Sequence, residues 1–295
     1  MVKRHGGNKQ KVLVVGGAGF TGSKLSRELC SIGHSVLVVD NLSMGNLANI
    51  EDMYNLDNFQ FIKSDVTDLD IPTGVGTIFF LPRPNTSDHN QVYRTQIEGL
   101  RRCLDYCETN ITRMVYGSTQ RATGPIEGSH LSSDYYLSRS YGETMVRASY
   151  EKTQLGSAIV RMPSVYGPGQ KSKQIVSKFL GLCRSGINLE VFKEAGQTRS
   201  YLHVDDFVEM CLEIMEEVKL DSFSVYELPG KDVLTAKEVA NLVKKATGSA
   251  IRIVEGHRRF VHSRQSVPGQ GTKRTKYKPK KDLASFLEEE AKRNQ

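Results

Sequence analysis

A chain of 295 residues, 38% hydrophobic and 25% charged, is long enough to enclose a full apolar core and sits near the size at which one core begins to divide. No apolar run approaches the ~20 residues of a membrane helix, and the opening MVKRHGGNKQ has no hydrophobic stretch of the signal-peptide kind, so a cytoplasmic protein without a membrane partner is expected. The net charge of +7 gathers between Arg252 and Lys281, where ten Lys or Arg face a single acid, Glu255; with no aromatic stacking pattern beside it, that stretch reads as solvated surface or a phosphate-facing pocket rather than a nucleic-acid site.

Residues 1–10 read as a basic flexible tail. From Lys11 to about Val160, short β-branched apolar runs alternate with longer amphipathic stretches, the pattern of βαβ units around a parallel sheet. The runs are KVLVV, SVLVV, FQFI, TIFFL, TRMVY and SAIV, six strands that fit a doubly wound α/β sheet. After Arg161 the pattern loosens into turn-rich segments such as VYGPGQ. It then predicts a helix near Val204 to Glu217, a strand near Ser222 to Leu228 and a helix near Thr235 to Thr247, which together read as a smaller α/β lobe. The expected division is a sheet domain over 11–165 and a lobe over 166–295 that interleaves with it. Five cysteines, an odd number, do not make a disulfide framework; Cys103 and Cys107, four apart on an expected helix, read as reduced core residues, and no metal site is expected.

The first strand runs into GGAGFTG and then the amphipathic SKLSRELCSIG, so Gly16, Gly19 and Gly22 occupy a strand-to-helix turn. Glycines there allow a tight turn, close backbone approach to a pyrophosphate and close packing of helix on strand. Eighteen residues after Gly22 the second strand ends at Asp40, where a carboxylate accepts both hydroxyls of an adenosine ribose and repels a 2′-phosphate, favouring NAD over NADP. The competing reading of Asp40 is an ordinary strand-end turn with Asn41. Asp65, in KSDVTD after the third strand, is placed to meet the adenine edge, or only to close its turn.

In VVGGAGFTG, VVDNLSMGNLANI, MVYGSTQRATG, YYLSRSYGE, RMPSVYGPGQ, RSYLHVDD and YKPKKDLASFL, taken in that order, the chain resembles the extended short-chain dehydrogenase/reductase family of NAD-dependent sugar epimerases and dehydratases. The resemblance covers nearly the whole length. It implies a Rossmann-type sheet with a smaller C-terminal substrate lobe, NAD as cofactor, a nucleotide sugar as substrate, with a UDP-sugar favoured, and a homodimer formed through helices at roughly 87–108 and 133–150. It also implies cofactor contacts from Phe20 and Thr21 in the glycine turn, Asn41 beside Asp40, Val66 beside Asp65, and Leu81 and Arg83 after the fourth strand.

The family's chemistry uses a Tyr and a Lys four residues on, neighbours on one helix face. The equivalent pair here is Tyr135 and Arg139 in YYLSR, with Tyr136 and Ser140 as the competing register; Ser138 and Glu143 stand where the family has Ser and Glu. A cation beside a phenol favours phenolate and makes Tyr135 a base for a sugar hydroxyl proton, although the planar guanidinium is not equivalent to an ammonium. By the same resemblance Arg139 holds the nicotinamide ribose, Thr119 bonds the reacting sugar oxygen, Ser164 replaces the Asn of Asn-Val-Tyr-Gly-Pro in the substrate site, and Arg199 meets the nucleotide diphosphate, with Arg258, Arg259 and Arg264 as weaker candidates.

Several family positions differ. Phe80, Leu81, Pro82 and Arg83 replace His-Leu-Ala-Ala, Gln96 replaces an Asn, and the stretch from Thr119 to Tyr135 is short. Arg83 lies where the chain passes the nicotinamide ribose and diphosphate, so it either pairs with a phosphate or fills the site. Gln120 and Arg121 replace the acids that family dehydratases and decarboxylases carry after this Thr, which disfavours loss of water or CO₂. The expected function is a UDP-sugar 4-epimerase working through a transient 4-keto sugar. The alternatives are a ketosugar-nucleotide reductase or dehydratase, or an NAD-binding sensor or scaffold without catalysis.

Overall fold

The computed structural model describes residues 8–84, 88–122, 130–170, 174–192, 198–256 and 271–293. The six expected strands form as β1 (Lys11–Val15), β2 (Ser35–Asp40), β3 (Phe59–Lys63), β4 (Val75–Phe80), β5 (Arg113–Thr119) and β6 (Ser157–Met162). Between them run α1 (Phe20–Ser31), α2 (His89–Tyr93), α3 (Gly99–Asn110) and α4 (His130–Thr153). The strands are apolar at consecutive rather than alternate positions because both faces of the sheet are covered. Val12, Val14, Val36 and Val38 join one core cluster, and Leu13, Val15, Leu37 and Val39 the other, as the two-residue period of a strand requires.

The remaining elements are β7 (Ser164–Tyr166), α5 (Ile175–Arg184), β8 (Leu189–Phe192), β9 (Thr198–His203), α6 (Val204–Glu217), β10 (Phe223–Glu227), β11 (Asp232–Thr235), α7 (Ala236–Thr247), β12 (Ile253–Gly256) and α8 (Leu283–Lys292). The main sheet has seven strands in the order β10-β6-β5-β4-β1-β2-β3, all parallel. Chain order reverses between β1 and β4, so the connections leaving their C-terminal ends diverge to opposite faces and open a crevice.

β10 and α6 lie in the part of the sequence that reads as the second lobe, yet they complete the first. β10 pairs with β6, and α6 buries Phe207, Met210 and Leu212 in the same cluster as Leu25 and Leu29 of α1. The apolar face of an amphipathic helix does not state which layer it will cover, so sequence order assigned these two elements to their nearest neighbours. What stands outside the main sheet is a three-stranded sheet, β11-β9-β7, a β12-β8 pair and the helices α5, α7 and α8, packed on Tyr166, Phe179, Val243 and Leu287. β7 lies in VYGPGQ and its flank, where three residues are too few to show a strand period. Thr235 and Glu238 close α7 with a reciprocal capping box.

The helix expected over 87–108 is interrupted. α2 passes through a π-helical turn, Arg94–Glu98, before α3 begins, and the turn buries Gln96 completely. All five cysteines are buried free thiols, and burial pushes Cys103 up to about 12 and Cys30 up to about 11, as befits core residues. Among the described residues no helix is long and apolar enough to cross a membrane.

Phe207 on α6 is fully buried against the α1 side of the sheet. Phe207→Ala is therefore expected to lower unfolding free energy by about 3–5 kcal/mol. The measurement is the urea midpoint at unchanged slope; a change under about 1 kcal/mol would show that α6 does not hold the main sheet together.

Candidate active site

β1 delivers the chain into the glycine turn at the crevice. Gly16 has φ +77°, and a Cβ there would come within 2.7 Å of the Pro82 backbone; a Cβ on Gly22 would come within 2.3 Å of the Gly16 carbonyl oxygen. Only glycine satisfies either contact. Gly19 is the N-cap of α1 and offers no side-chain acceptor, so the helix presents its own first N–H groups and the positive end of its dipole to an anion.

A cavity of about 660 Å³ opens over this turn. Its lining brings together Gly16, Gly19, Phe20 and Thr21 from the turn, Asp40, Asn41, Asp65 and Val66 from the ends of β2 and β3, Leu81 and Arg83 after β4, Thr119, Tyr135 and Arg139, and Ser164 and Arg199 from β7 and β9. Among the described residues Gly22 is the one expected site residue outside the lining; it packs behind the turn and lets α1 approach β1. Arg258, Arg259 and Arg264 lie outside the described residues, as do residues 123–129 between Thr119 and Tyr135.

Asp40 is 8% exposed, and its two carboxylate oxygens accept N–H bonds from Ala18 at 3.1 Å and Leu42 at 2.8 Å. Burial raises its pKa, while those two N–H groups oppose the shift. Each oxygen keeps a further lone pair for a ribose hydroxyl. At Asp65 burial again disfavours the charge, but the Thr67 N–H, Asn41, the Thr67 hydroxyl and Arg94 together hold the carboxyl below its ordinary range. The Asn41 amide donates to Asp65 at 2.8 Å, so those two candidates brace each other across the ends of β2 and β3. What the sequence reading passed over here is the return of the 41–49 loop: Asn49 Nδ2 and Asn46 N donate to Ala18 O at 2.8 and 3.0 Å, and a Cβ on Gly45 would come within 2.7 Å of the Asp40 carboxylate. The Asn and Gly spacing in DNLSMGNLAN was the available signal.

At the other end, α4 runs beside β5 and β6 and carries the Tyr135 and Arg139 pair. Arg139 is 1% exposed; Nη1 donates to Gly117 O at 2.6 Å and Nη2 to Pro82 O at 2.5 Å. Its guanidinium carbon lies 5.2 Å from the centre of the Tyr135 ring and 5.7 Å from that of Tyr116, while Arg83 approaches the Tyr135 ring to 5.8 Å. Burial works to raise the Tyr135 pKa, but the charges of Arg139 and then Arg83 outweigh it and the phenol sits below its ordinary value. Tyr116, deeper in the core, shows burial winning instead: it is pushed up to about 12.

The terminal nitrogens of Arg139 are thus committed to backbone carbonyls, and of its donors Nε alone lacks a partner among the described residues. Each terminal nitrogen gives one N–H to a backbone carbonyl and carries a second. Gln96 shares its acceptor, donating to Pro82 O at 3.0 Å. Behind Thr119, Ser118 Oγ donates to Glu143 at 2.6 Å and Arg161 clasps the same carboxylate through Nε and Nη2, a buried pair that joins α4 to β5 and β6. Arg161 carried no recognisable sequence signal, since a lone Arg at a strand end has many uses.

A glycine turn at the switch point of a parallel sheet, a strand-end carboxylate and a Tyr-cation pair on the facing helix define a dinucleotide-dependent enzyme of the Rossmann class. The chain belongs to the NAD-dependent epimerase/dehydratase family, whose description matches residues 12–228. It is similar to UDP-glucuronic acid decarboxylase 1 of Xenopus tropicalis, 26% identical over 82% of this chain and 61% of that protein. The chain thus spans about three fifths of that relative. Its fold is similar to those of a UDP-N-acetylglucosamine 4-epimerase from Methanobrevibacter ruminantium, at 20% identity, TM-score 0.80 and coverage of 97% and 98% of the two chains, and a UDP-glucuronic acid 4-epimerase from Bacillus cereus solved with UDP-glucuronic acid and NAD, at 21% identity, TM-score 0.78 and coverage of 96% and 98%. The family's cofactor is NAD, and the residues present fit it: the glycine cradle leaves no room for a side chain, Asp40 opposes a 2′-phosphate, and Arg139 leaves a buried donor unsatisfied at the cavity wall.

Two measurements follow from this geometry. NAD is expected to bind at least tenfold more tightly than NADP, and Asp40→Ser to remove most of that preference, read by fluorescence titration; an unchanged ratio would leave Asp40 as a turn residue. If Tyr135 is the base, it must be deprotonated to act, and activity is expected to rise with pH through its lowered pKa. Arg139→Gln is expected to move that acidic limb to higher pH by about one unit or more, while Arg139→Lys keeps it low; a limb unmoved by Arg139→Gln would assign the tuning elsewhere.

Proposed function

We propose that this chain is an NAD-dependent nucleotide-sugar 4-epimerase. The observation that carries the reading is Tyr135, a phenol flanked by two guanidinium groups on the wall of the dinucleotide cavity. Bound NAD supplies the acceptor and donor of a hydride. Tyr135, as phenolate, takes the proton of the sugar's 4-hydroxyl while that carbon is oxidised, and returns it when the 4-keto group is reduced from its other face. Arg139 holds Tyr135 in its charged form, Thr119 donates a hydrogen bond to the 4-oxygen, Ser164 lines the sugar end, and Arg199 grips the nucleotide diphosphate with its planar fork.

Loss of water or CO₂ requires acid or base groups beyond Tyr135. Among the described residues lining the cavity the carboxylates are Asp40 and Asp65, at the ends of β2 and β3, and the residue after Thr119 is Gln120, whose amide donates to Leu228 O at 2.9 Å. That distribution supports epimerisation. Decarboxylation of a nucleotide uronate is the second reading, favoured by the similarity to UDP-glucuronic acid decarboxylases, and it begins with the same oxidation at C4. The proposal includes a homodimer: Tyr93 on α2 and Leu137 and Tyr141 on α4 are large apolar side chains left more than half exposed on adjoining helices, a surface a second copy would cover.

The test is proton NMR of the protein with NAD⁺ and UDP-, dTDP- and GDP-sugars, following the anomeric signals. A second isomer without accumulation of NADH is expected, and Tyr135→Phe should slow its formation by roughly 10²–10⁴-fold with NAD binding retained. A pentose product with CO₂ would establish decarboxylation instead. No conversion by NAD-loaded protein would reject catalysis in favour of a binding-only role.

A further inference from the structure

Arg83 stands between the two halves of the cavity. The residue before it, Pro82, abuts the glycine turn, since a Cβ on Gly16 would come within 2.7 Å of the Pro82 backbone. That turn and the uncapped start of α1 are where a dinucleotide's diphosphate is received. In the other direction the Arg83 guanidinium carbon lies 5.8 Å from the centre of the Tyr135 ring, within the range at which a cation is drawn to an aromatic face. Tyr135 has a second cation in Arg139, but the two differ in kind. Arg139 is buried and gives N–H bonds to Gly117 O and Pro82 O, so the backbone fixes its place. Arg83 is exposed on the loop after β4, and its long side chain is rich in rotamers. Burial acts to raise the Tyr135 pKa, and Arg139 and then Arg83 oppose it, so both cations favour ionisation of the phenol.

We propose that Arg83 is a positioning residue shared by the cofactor and the base: it pairs with Tyr135 while the dinucleotide site is empty and turns to the diphosphate when NAD binds. The role of Tyr135 as base is taken from the reading above. A diphosphate carries more negative charge and more acceptor oxygens than an ionised phenol, and it suits a guanidinium fork better. The exchange leaves Tyr135 with Arg139 as its cation. A phenolate with one such partner holds a proton more tightly than a phenolate with two, so the base gains strength once the hydride acceptor is in place. Coupling of this kind is reciprocal, so ionised Tyr135 competes with the diphosphate for Arg83 and weakens cofactor binding. The alanine of the family pattern at this position could make neither contact.

The experiment is a spectrophotometric pH titration of tyrosinate with and without ADP-ribose, which carries the diphosphate but not the nicotinamide charge. Subtracting the titration of Tyr135→Phe isolates Tyr135 from the other tyrosines. In the empty protein Arg83→Gln is expected to raise the Tyr135 pKa by about half a unit or more, and Arg83→Lys to leave it near the parent value. ADP-ribose is expected to raise that pKa by about one unit in the parent and by less than half as much in Arg83→Gln, where direct repulsion by the diphosphate alone acts. Calorimetry reads the reciprocal effect: ADP-ribose affinity should fall about tenfold in the parent as pH rises through the Tyr135 pKa, and far less in Arg83→Gln. A Tyr135 pKa unmoved by Arg83→Gln in the empty protein overturns the pairing, and equal ADP-ribose shifts in parent and Arg83→Gln overturn the exchange. No sugar enters the titration, so its failure is distinct from failure of the epimerase reading, which conversion of the nucleotide sugars decides.

Discussion

Arg139 is the interaction on which the reacting end depends. A guanidinium removed from water costs on the order of several kcal/mol unless its donors are satisfied and its charge is balanced. Gly117 O and Pro82 O each take one terminal N–H and in doing so tie α4 to the ends of β5 and β4. They do not balance the charge. Glu143, one helical turn further on, is held by Arg161 and Ser118. The group within reach that would balance it on losing its proton is Tyr135, whose pKa falls although burial pushes the other way. The same residue therefore steadies the helix and favours ionisation of the Tyr135 phenol.

Three departures from the family pattern turn out to be one structural feature. Pro82, Gln96 and Arg139 are far apart in the chain, yet Gln96 Nε2 and Arg139 Nη2 both donate to Pro82 O. The π-helical turn brings Gln96 into that position, and the glycine at position 16 lets the Pro82 backbone approach β1. The longer guanidinium fills space that an ammonium would leave to solvent or ligand, and a carbonyl with two donors is fixed more firmly than a carbonyl with one.

The sheet sets the charge layout of the cavity. Because order reverses between β1 and β4, the loops after β2 and β3 gather on one side with Asp40 and Asp65, and those after β4 and β5, with α4, gather on the other with Arg83 and Arg139. The acidic side suits ribose hydroxyls and the basic side suits anionic oxygens. The loop from Asn41 to Asn49 is pinned to Ala18 in the glycine turn, so the position of Asp40 and the shape of the turn are set together.

The strands β1 to β6, the glycine turn, Asp40 and the Tyr135 and Arg139 spacing were legible in the sequence, because each is local: a short apolar run, a turn that excludes side chains, two residues one helical turn apart. β7 and the assignment of α6 and β10 to the main sheet were not, since a three-residue strand shows no period and an amphipathic face does not name its partner layer. The sequence by itself determined the class of fold and the cofactor. Only the tertiary structure decided that Arg139 is locked to two carbonyls, that Gln96 shares one of them, and that Arg83 stands against Tyr135. Those contacts join side chains and backbone from β4, β5, the π-helical turn and α4, and chain closure in space, which no local pattern encodes, is what brings them to one point.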